Sequence, residues 1–173
     1  VITSGDEVEL FLNGVSLGKK KKGEFEYRLR WDDIAYKPGE LQAVAYKNGK
    51  KWAEKIIRTT GVPAVLNAKA DRKIVKANGS DLSFIRIQID DAEGNFVANA
   101  MNTIKFSVEG PGEIIATDNG DPSDLSSFSS HERKAFSGLA LVIVRSIKGE
   151  AGSIKVFATS DGLQSAEVEL TSK

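Results

Sequence analysis

Pro38–Ile57 reads PGELQAVAYKNGKKWAEKII, and this stretch decides the fold. Pro38-Gly39 signals a turn. Leu41, Ala43 and Ala45 then alternate with Gln42, Val44 and Tyr46 at the two-residue period of a strand. Asn48-Gly49 reverses the chain, because a two-residue type I′ turn needs positive φ at both central positions. The returning arm, Lys51–Arg58, closes a β-hairpin expected at the centre of a small antiparallel sandwich. None of its side chains suits bond-making chemistry.

Upstream of the hairpin, Asp6–Leu12 sets Val8, Leu10 and Leu12 on one face and Glu7 and Glu9 on the other. Asn13-Gly14 is a second hairpin turn, and Ser16-Leu17-Gly18 begins a short return strand. Lys19–Lys22 reads as a solvated hairpin tip. In Phe25–Trp31, Phe25, Tyr27, Leu29 and Trp31 alternate with Glu24, Glu26, Arg28 and Arg30, which predicts a half-buried strand. Val1-Ile2 resembles the tail of a strand that begins earlier. An edge left unpaired there is a template for self-association through the N-terminal half.

Downstream, RTTGVP (Arg58–Pro63) is a linker, and a domain boundary is placed near Gly61, dividing residues 1–61 from 62–173. Val65–Asp71, Phe84–Asp90, Ile104–Val108, Glu113–Thr117, Leu139–Arg145, Ser153–Thr159 and Ala166–Thr171 supply about seven strands at sandwich-like spacing. With no cysteine, the sheets must be held by apolar faces, each well-buried side chain contributing roughly 1.5–3 kcal/mol. Asp118–Ser137 (DNGDPSDLSSFSSHERKAFS) interrupts this pattern. A polar connection of that length inside a compact domain is often functional, and Phe128 and Phe136 mark it as a docking loop.

Composition narrows the function classes. Lys+Arg and Asp+Glu both number 24, so no long-range field favours nucleic acid or an anionic membrane. The absence of cysteine removes thiolate metal sites and thiol nucleophiles. The longest apolar run, Leu139–Val144, is far too short to span a bilayer.

The segments DEVELFLNGVSLG (Asp6–Gly18), YKPGELQAVAYKNGK (Tyr36–Lys50), IRTTG (Ile57–Gly61), ADRKIVKANGSDLSFIRIQIDDAEGN (Ala70–Asn95) and IKFSVEGPGEI (Ile104–Ile114) resemble the C-terminal region of bacterial family 2 glycoside hydrolases, mostly β-galactosidases. DNGDPSD (Asp118–Asp124) and KAFSGLALVIVRS (Lys134–Ser146) extend the likeness over nearly the whole chain. The resemblance implies an all-β chain of two immunoglobulin-like antiparallel β-sandwich domains in tandem, the first lacking its opening strand. It also implies a non-catalytic accessory tail whose partners are the catalytic barrel and other domains of a parent enzyme. The family's acid/base and nucleophile glutamates lie on that barrel, so no catalytic residue is carried over. A periplasmic or extracellular location is implied in the same way.

Each remaining candidate has a plainer reading. Asp32-Asp33 and Asp90-Asp91 could be paired carboxylates, but neighbours on a strand point to opposite faces, so both pairs read as solvated turn residues. Asp118, Asn119, Asp121 and Asp124 invite calcium without the EF-hand order, and an Asx-type turn is the expectation. His131, the single histidine, stands in HERKA rather than HExxH. Neither a metal nor a cofactor is expected. Trp52 and, less so, Trp31 are sugar-stacking candidates. Two other functions compete with the accessory tail: a carbohydrate-binding module, and a surface adhesin-type immunoglobulin-like repeat. The halves share no internal register, which argues against the repeat.

Overall fold

The computed structural model describes residues 1–173, and all of its regular structure is strand. The chain divides into two compact units, Val1–Thr59 and Thr60–Lys173.

Unit 1 is built on β1 (Glu7–Leu12), β2 (Val15–Lys21), β3 (Glu40–Lys47) and β4 (Lys50–Arg58), in the antiparallel order β2-β1-β3-β4. Both Asn-Gly pairs make the expected turns, with φ of 50° and 78° at Asn13-Gly14 and 51° and 73° at Asn48-Gly49. Asn13 also fixes the entry to β3. Its side chain accepts from the Glu40 amide and donates to the Pro38 carbonyl, across a space that only a glycine at 39 leaves open. The apolar face packs Val8 and Ala45 against Leu29, with Trp31 and Ala43 alongside.

The expected strand at Phe25–Trp31 does not form. The segment is extended, but the backbone that bridges it is the N-terminus rather than a strand. Arg28 bridges Ile2 antiparallel, and Leu29 and Val1 exchange backbone hydrogen bonds. Without a ladder to hold the alternation, Phe25 is 91% and Tyr27 70% exposed, and only Leu29 and Trp31 reach the sheet. Lys19–Lys22 is likewise no hairpin tip. Lys19–Lys21 continue β2, where Lys19 pairs with Glu7 at 2.8 Å and Lys20 caps the Arg30 carbonyl, and Lys22 then reaches the Thr3 carbonyl.

Unit 2 is an immunoglobulin-like sandwich. One sheet orders β5 (Val65–Ala70), β7 (Leu82–Asp90), β11 (Leu139–Ser146) and β9 (Gly112–Asp118) as β5-β7-β11-β9. The other orders β10 (Glu132–Lys134), β8 (Thr103–Glu109), β12 (Gly152–Thr159), β13 (Ala166–Ser172) and β6 (Ile74–Val75) as β10-β8-β12-β13-β6, with only the short β6 running parallel to its neighbour. Alternate residues of both sheets make one core: Ile85, Ile87 and Ile89 with Val142 and Val144 from the first, and Ile104, Ile154 and Leu170 from the second. β9 and β10 are edge strands, one in each sheet, and the segment joining them is the long polar loop.

Candidate functional site

The loop between β9 and β10 is fastened from within by a residue that sequence reasoning passed over. Arg133, on β10, is 2% exposed. Its Nη2 donates to the Ser127 carbonyl at 2.7 Å and the Thr117 carbonyl at 2.9 Å; its Nη1 donates to Asp124 Oδ2 at 3.0 Å and the Ser126 carbonyl at 3.3 Å. Nε and Nη2 both reach Thr117 Oγ1. Thr117 is fully buried on β9 and donates that hydroxyl to the Ser130 carbonyl, while its amide donates to the Phe128 carbonyl. One guanidinium thus ties the edge of one sheet to the loop that leaves it. A planar fork of donors suits this task, since it satisfies several acceptors in fixed geometry.

The rest of the loop is a chain of side-chain-capped turns. Asp118 Oδ1 accepts from the amides of Asn119 and Gly120, Asn119 Oδ1 from Asp121, Asp121 Oδ1 from Ser123, and Asp124 Oδ1 from Ser126. The oxygens that could have drawn a cation are therefore turned toward backbone amides. Hydrogen bonds from Ser126, then from Arg133, hold the Asp124 carboxyl well below the usual carboxylate range.

Two apolar side chains stand out from this fastened loop. Leu125 is 96% exposed and Phe128 65%, the Phe128 ring lying 5.9 Å from the Arg133 guanidinium carbon. Phe136 sits on a separate piece of structure. It pairs with Leu139 across Ser137-Gly138, whose φ values of 50° and 75° make a third tight hairpin, and it is exposed, less so than Phe128. His131 is exposed, and its carbonyl accepts from Phe106.

The tryptophans are engaged in unit 1. Trp31 packs on the Val8–Leu29–Ala45 cluster, with its indole nitrogen buried and without a hydrogen-bond partner. Trp52 is 56% exposed, donates Nε1 to Ser4 Oγ at 3.1 Å, and carries the Lys47 ammonium 4.9 Å from its ring centre. Asp32 and Asp33 are exposed, as expected. Asp90 and Asp91 are not solvated turn residues: they are 4% and 1% exposed. Asp90 accepts from Asn67 and Gln88. Asp91 accepts from the amides of Gly61, Glu93 and Asn95, which closes the turn after β7 and pins the start of unit 2; the Gly61 bond foremost lowers its pKa. Each carboxylate is occupied by neighbours in a structural role.

The fold is that of an all-β, immunoglobulin-like module, and the likenesses agree. Residues 66–169 match the family described as glycoside hydrolase family 2 C-terminal domain 5, and residues 1–53 match a domain of unknown function, DUF4982. The chain is 39% identical over 168 residues to β-galactosidase BoGH2A of Bacteroides ovatus, covering 97% of this chain and 20% of that protein. It is 30% identical over 150 residues to a putative β-glucuronidase of Formosa agariphila, covering 85% and 14%. A solved family 2 glycosyl hydrolase from Bacteroides cellulosilyticus superposes with a TM-score of 0.90 at 34% identity, over 98% of this chain and 22% of that one. With the match covering most of unit 2 and more than half of the sequence, the chain belongs to the glycoside hydrolase family 2 C-terminal domain 5 family. It spans a fifth or less of the length of these curated relatives.

Proposed function

We propose that this chain is the non-catalytic C-terminal accessory region of a β-galactosidase-like family 2 glycoside hydrolase. Its β9–β10 loop would dock it on the catalytic portion of that enzyme or on another subunit. The observation that supports this most directly is the placement of Leu125 and Phe128 in water on a loop that Arg133 already holds in shape. The ordering entropy of the loop is spent before any partner arrives, so covering the two side chains returns most of their burial energy, roughly 1.5–3 kcal/mol each. Phe136 extends the apolar surface from its own hairpin. The relatives' names, β-galactosidase and β-glucuronidase, support a glycosidase parent, the first being the likeness at higher identity, and a periplasmic or extracellular location goes with that reading.

The test is reconstitution. The chain and the remainder of the parent enzyme are made separately and their association is measured with wild-type sequence and with Phe128→Ala/Phe136→Ala. The double variant should stay folded and bind the catalytic portion at least about tenfold more weakly, the equivalent of 1.4 kcal/mol. Unchanged association removes the docking role. Purified alone, the chain should leave chromogenic galactosides intact.

A further inference from the structure

We propose that a second copy of this chain pairs with the open edge of β4, joining two four-stranded sheets into one across a two-fold axis at Ile56. Unit 1 has two edge strands, and they differ. β2 carries Lys19–Lys21 and no acidic residue, and like charges facing one another deter strand pairing. The lysine pair of β4, Lys50-Lys51, instead precedes its bulge, and the stretch beyond it mixes Glu54 with Lys55 and Arg58. β4 is nine residues long, exposed at every position but one, and carries Ile57 at 62% exposure.

The outward-facing groups follow from the ladder. The Thr59 amide donates to the Gly39 carbonyl, so Thr59, Ile57, Lys55 and Ala53 turn their backbone groups toward β3. Arg58, Ile56 and Glu54 therefore present theirs to the outside. The bulge opposite Ala45/Tyr46 ends the regular strand on the N-terminal side of Ala53, leaving Ala53–Thr59 as the stretch able to accept a neighbour. Its midpoint is Ile56.

An antiparallel copy centred on that midpoint sets Ile56 opposite Ile56, Glu54 opposite Arg58, and Arg58 opposite Glu54. The three outward residues of each chain exchange both backbone bonds with their partners, which is what a hydrogen-bonded antiparallel pair requires. The two flanking pairs are of opposite charge. Glu40 already lies 2.7 Å from Arg58 within each sheet. The incoming Glu54, which holds Lys51 at 2.8 Å and Gln42 at 3.2 Å through Oε2 in its own chain, brings its other oxygen to that guanidinium as a second carboxylate. A register one residue off puts inward-facing backbone groups against outward-facing ones. A slip of two residues sets Ile56 against Glu54 or against Arg58, and a slip of four sets Glu54 on Glu54 or Arg58 on Arg58. Geometry and charge thus select the same alignment. This surface is on unit 1 and independent of the β9–β10 loop.

Sedimentation equilibrium of the whole chain tests the pairing. The weight-average mass should rise from 18.7 kDa toward twice that value as concentration approaches about 1 mM. Glu54→Arg places two guanidinium groups together at each end and should weaken dimerisation more than about tenfold; Glu54→Arg/Arg58→Glu should restore it. Ile56→Pro removes an outward amide without removing a bond to β3, and should abolish the dimer. Tryptophan fluorescence, which arises only from unit 1, checks that each variant is folded. A constant 18.7 kDa overturns the proposal and leaves the edge to a foreign strand; so does a dimer that survives Glu54→Arg, or one that the charge exchange fails to rescue.

Discussion

Replacing Arg133 with methionine isolates what the buried guanidinium does. Methionine keeps an unbranched, apolar stem of similar reach and donates nothing. The acceptors it would abandon differ in what they retain. Asp124 keeps its bond from Asn119, Thr117 Oγ1 keeps its donation to Ser130, and the Ser127 carbonyl keeps the Ser130 amide. The Thr117 carbonyl, in a fully buried residue, keeps no bond from any side chain, and stranding such a group costs about 1–3 kcal/mol. Severing a buried ion pair costs about 3–5 kcal/mol when nothing relaxes. Here Ser126 and Ser127 are exposed and water replaces part of the loss, so the lower end, about 3 kcal/mol, is expected. At a urea slope of about 2 kcal/mol/M this moves the midpoint by about 1.5 M. The assay has an internal control. Both tryptophans lie in unit 1, so fluorescence follows that unit while far-ultraviolet circular dichroism follows both. The dichroism transition of unit 2 should shift and the fluorescence transition should not. Chymotrypsin should also cut faster at Leu125 and Phe128 once the loop is untied. Asp124→Asn combined with Arg133→Met should fall short of the sum of the single effects, because the two side chains form one ion pair. A midpoint unchanged within about 0.3 M, or fully additive effects, would refute the role given to Arg133.

Four further outcomes follow. Ile87→Ala opens a cavity in place of a side chain that is 1% exposed and should cost about 2–5 kcal/mol in the dichroism transition, with Ile87→Val costing about 0.5–1.5. Asp91 has a folded pKa below the ordinary 3.8, so its contribution is present above that value and lost as pH falls through the lower folded one; Asp91→Asn should flatten the acid limb of unit 2 stability below about pH 4. Gly39→Ala should destabilise unit 1, since the added carbon would collide with Asn13 Oδ1 at a φ of +129°, and the fluorescence midpoint reports it. Galactosides at millimolar concentration should leave tryptophan fluorescence unchanged, because Trp31 is packed into the sheet and Trp52 is tied to Ser4 and Lys47; a saturable response would favour the carbohydrate-binding reading instead.

What could be read without coordinates was whatever repeats at a fixed local period. Asn-Gly between two alternating runs favours a left-handed turn, and Asn13-Gly14 and Asn48-Gly49 both turn the chain that way, while at Asn78-Gly79 and Asn119-Gly120 only the glycine is left-handed. Ile85, Ile87 and Ile89 declare a buried face because nothing polar interrupts them. The same rule misled at Phe25–Trp31, where alternation is present but neighbouring strands are not: a side-chain pattern says which face is apolar and nothing of what lies beside the backbone. Arg133 was concealed for the opposite reason. In Glu132-Arg133-Lys134-Ala135 the inward and outward residues alternate faithfully, yet three are charged, so hydropathy shows no period. Asp91 was hidden by its charge as well, although an aspartate ahead of Glu-Gly-Asn is an Asx-turn signal in its own right. In both cases a buried ionic group is fixed by partners that local period does not encode: Arg133 by Thr117 sixteen residues upstream, and Asp91 by Gly61 thirty residues upstream. Arg133, which shapes the candidate surface, is therefore a residue whose burial contradicts its chemistry. A search for binding surfaces in related chains would do better to follow buried arginines beneath exposed apolar tips than the exposed tips alone.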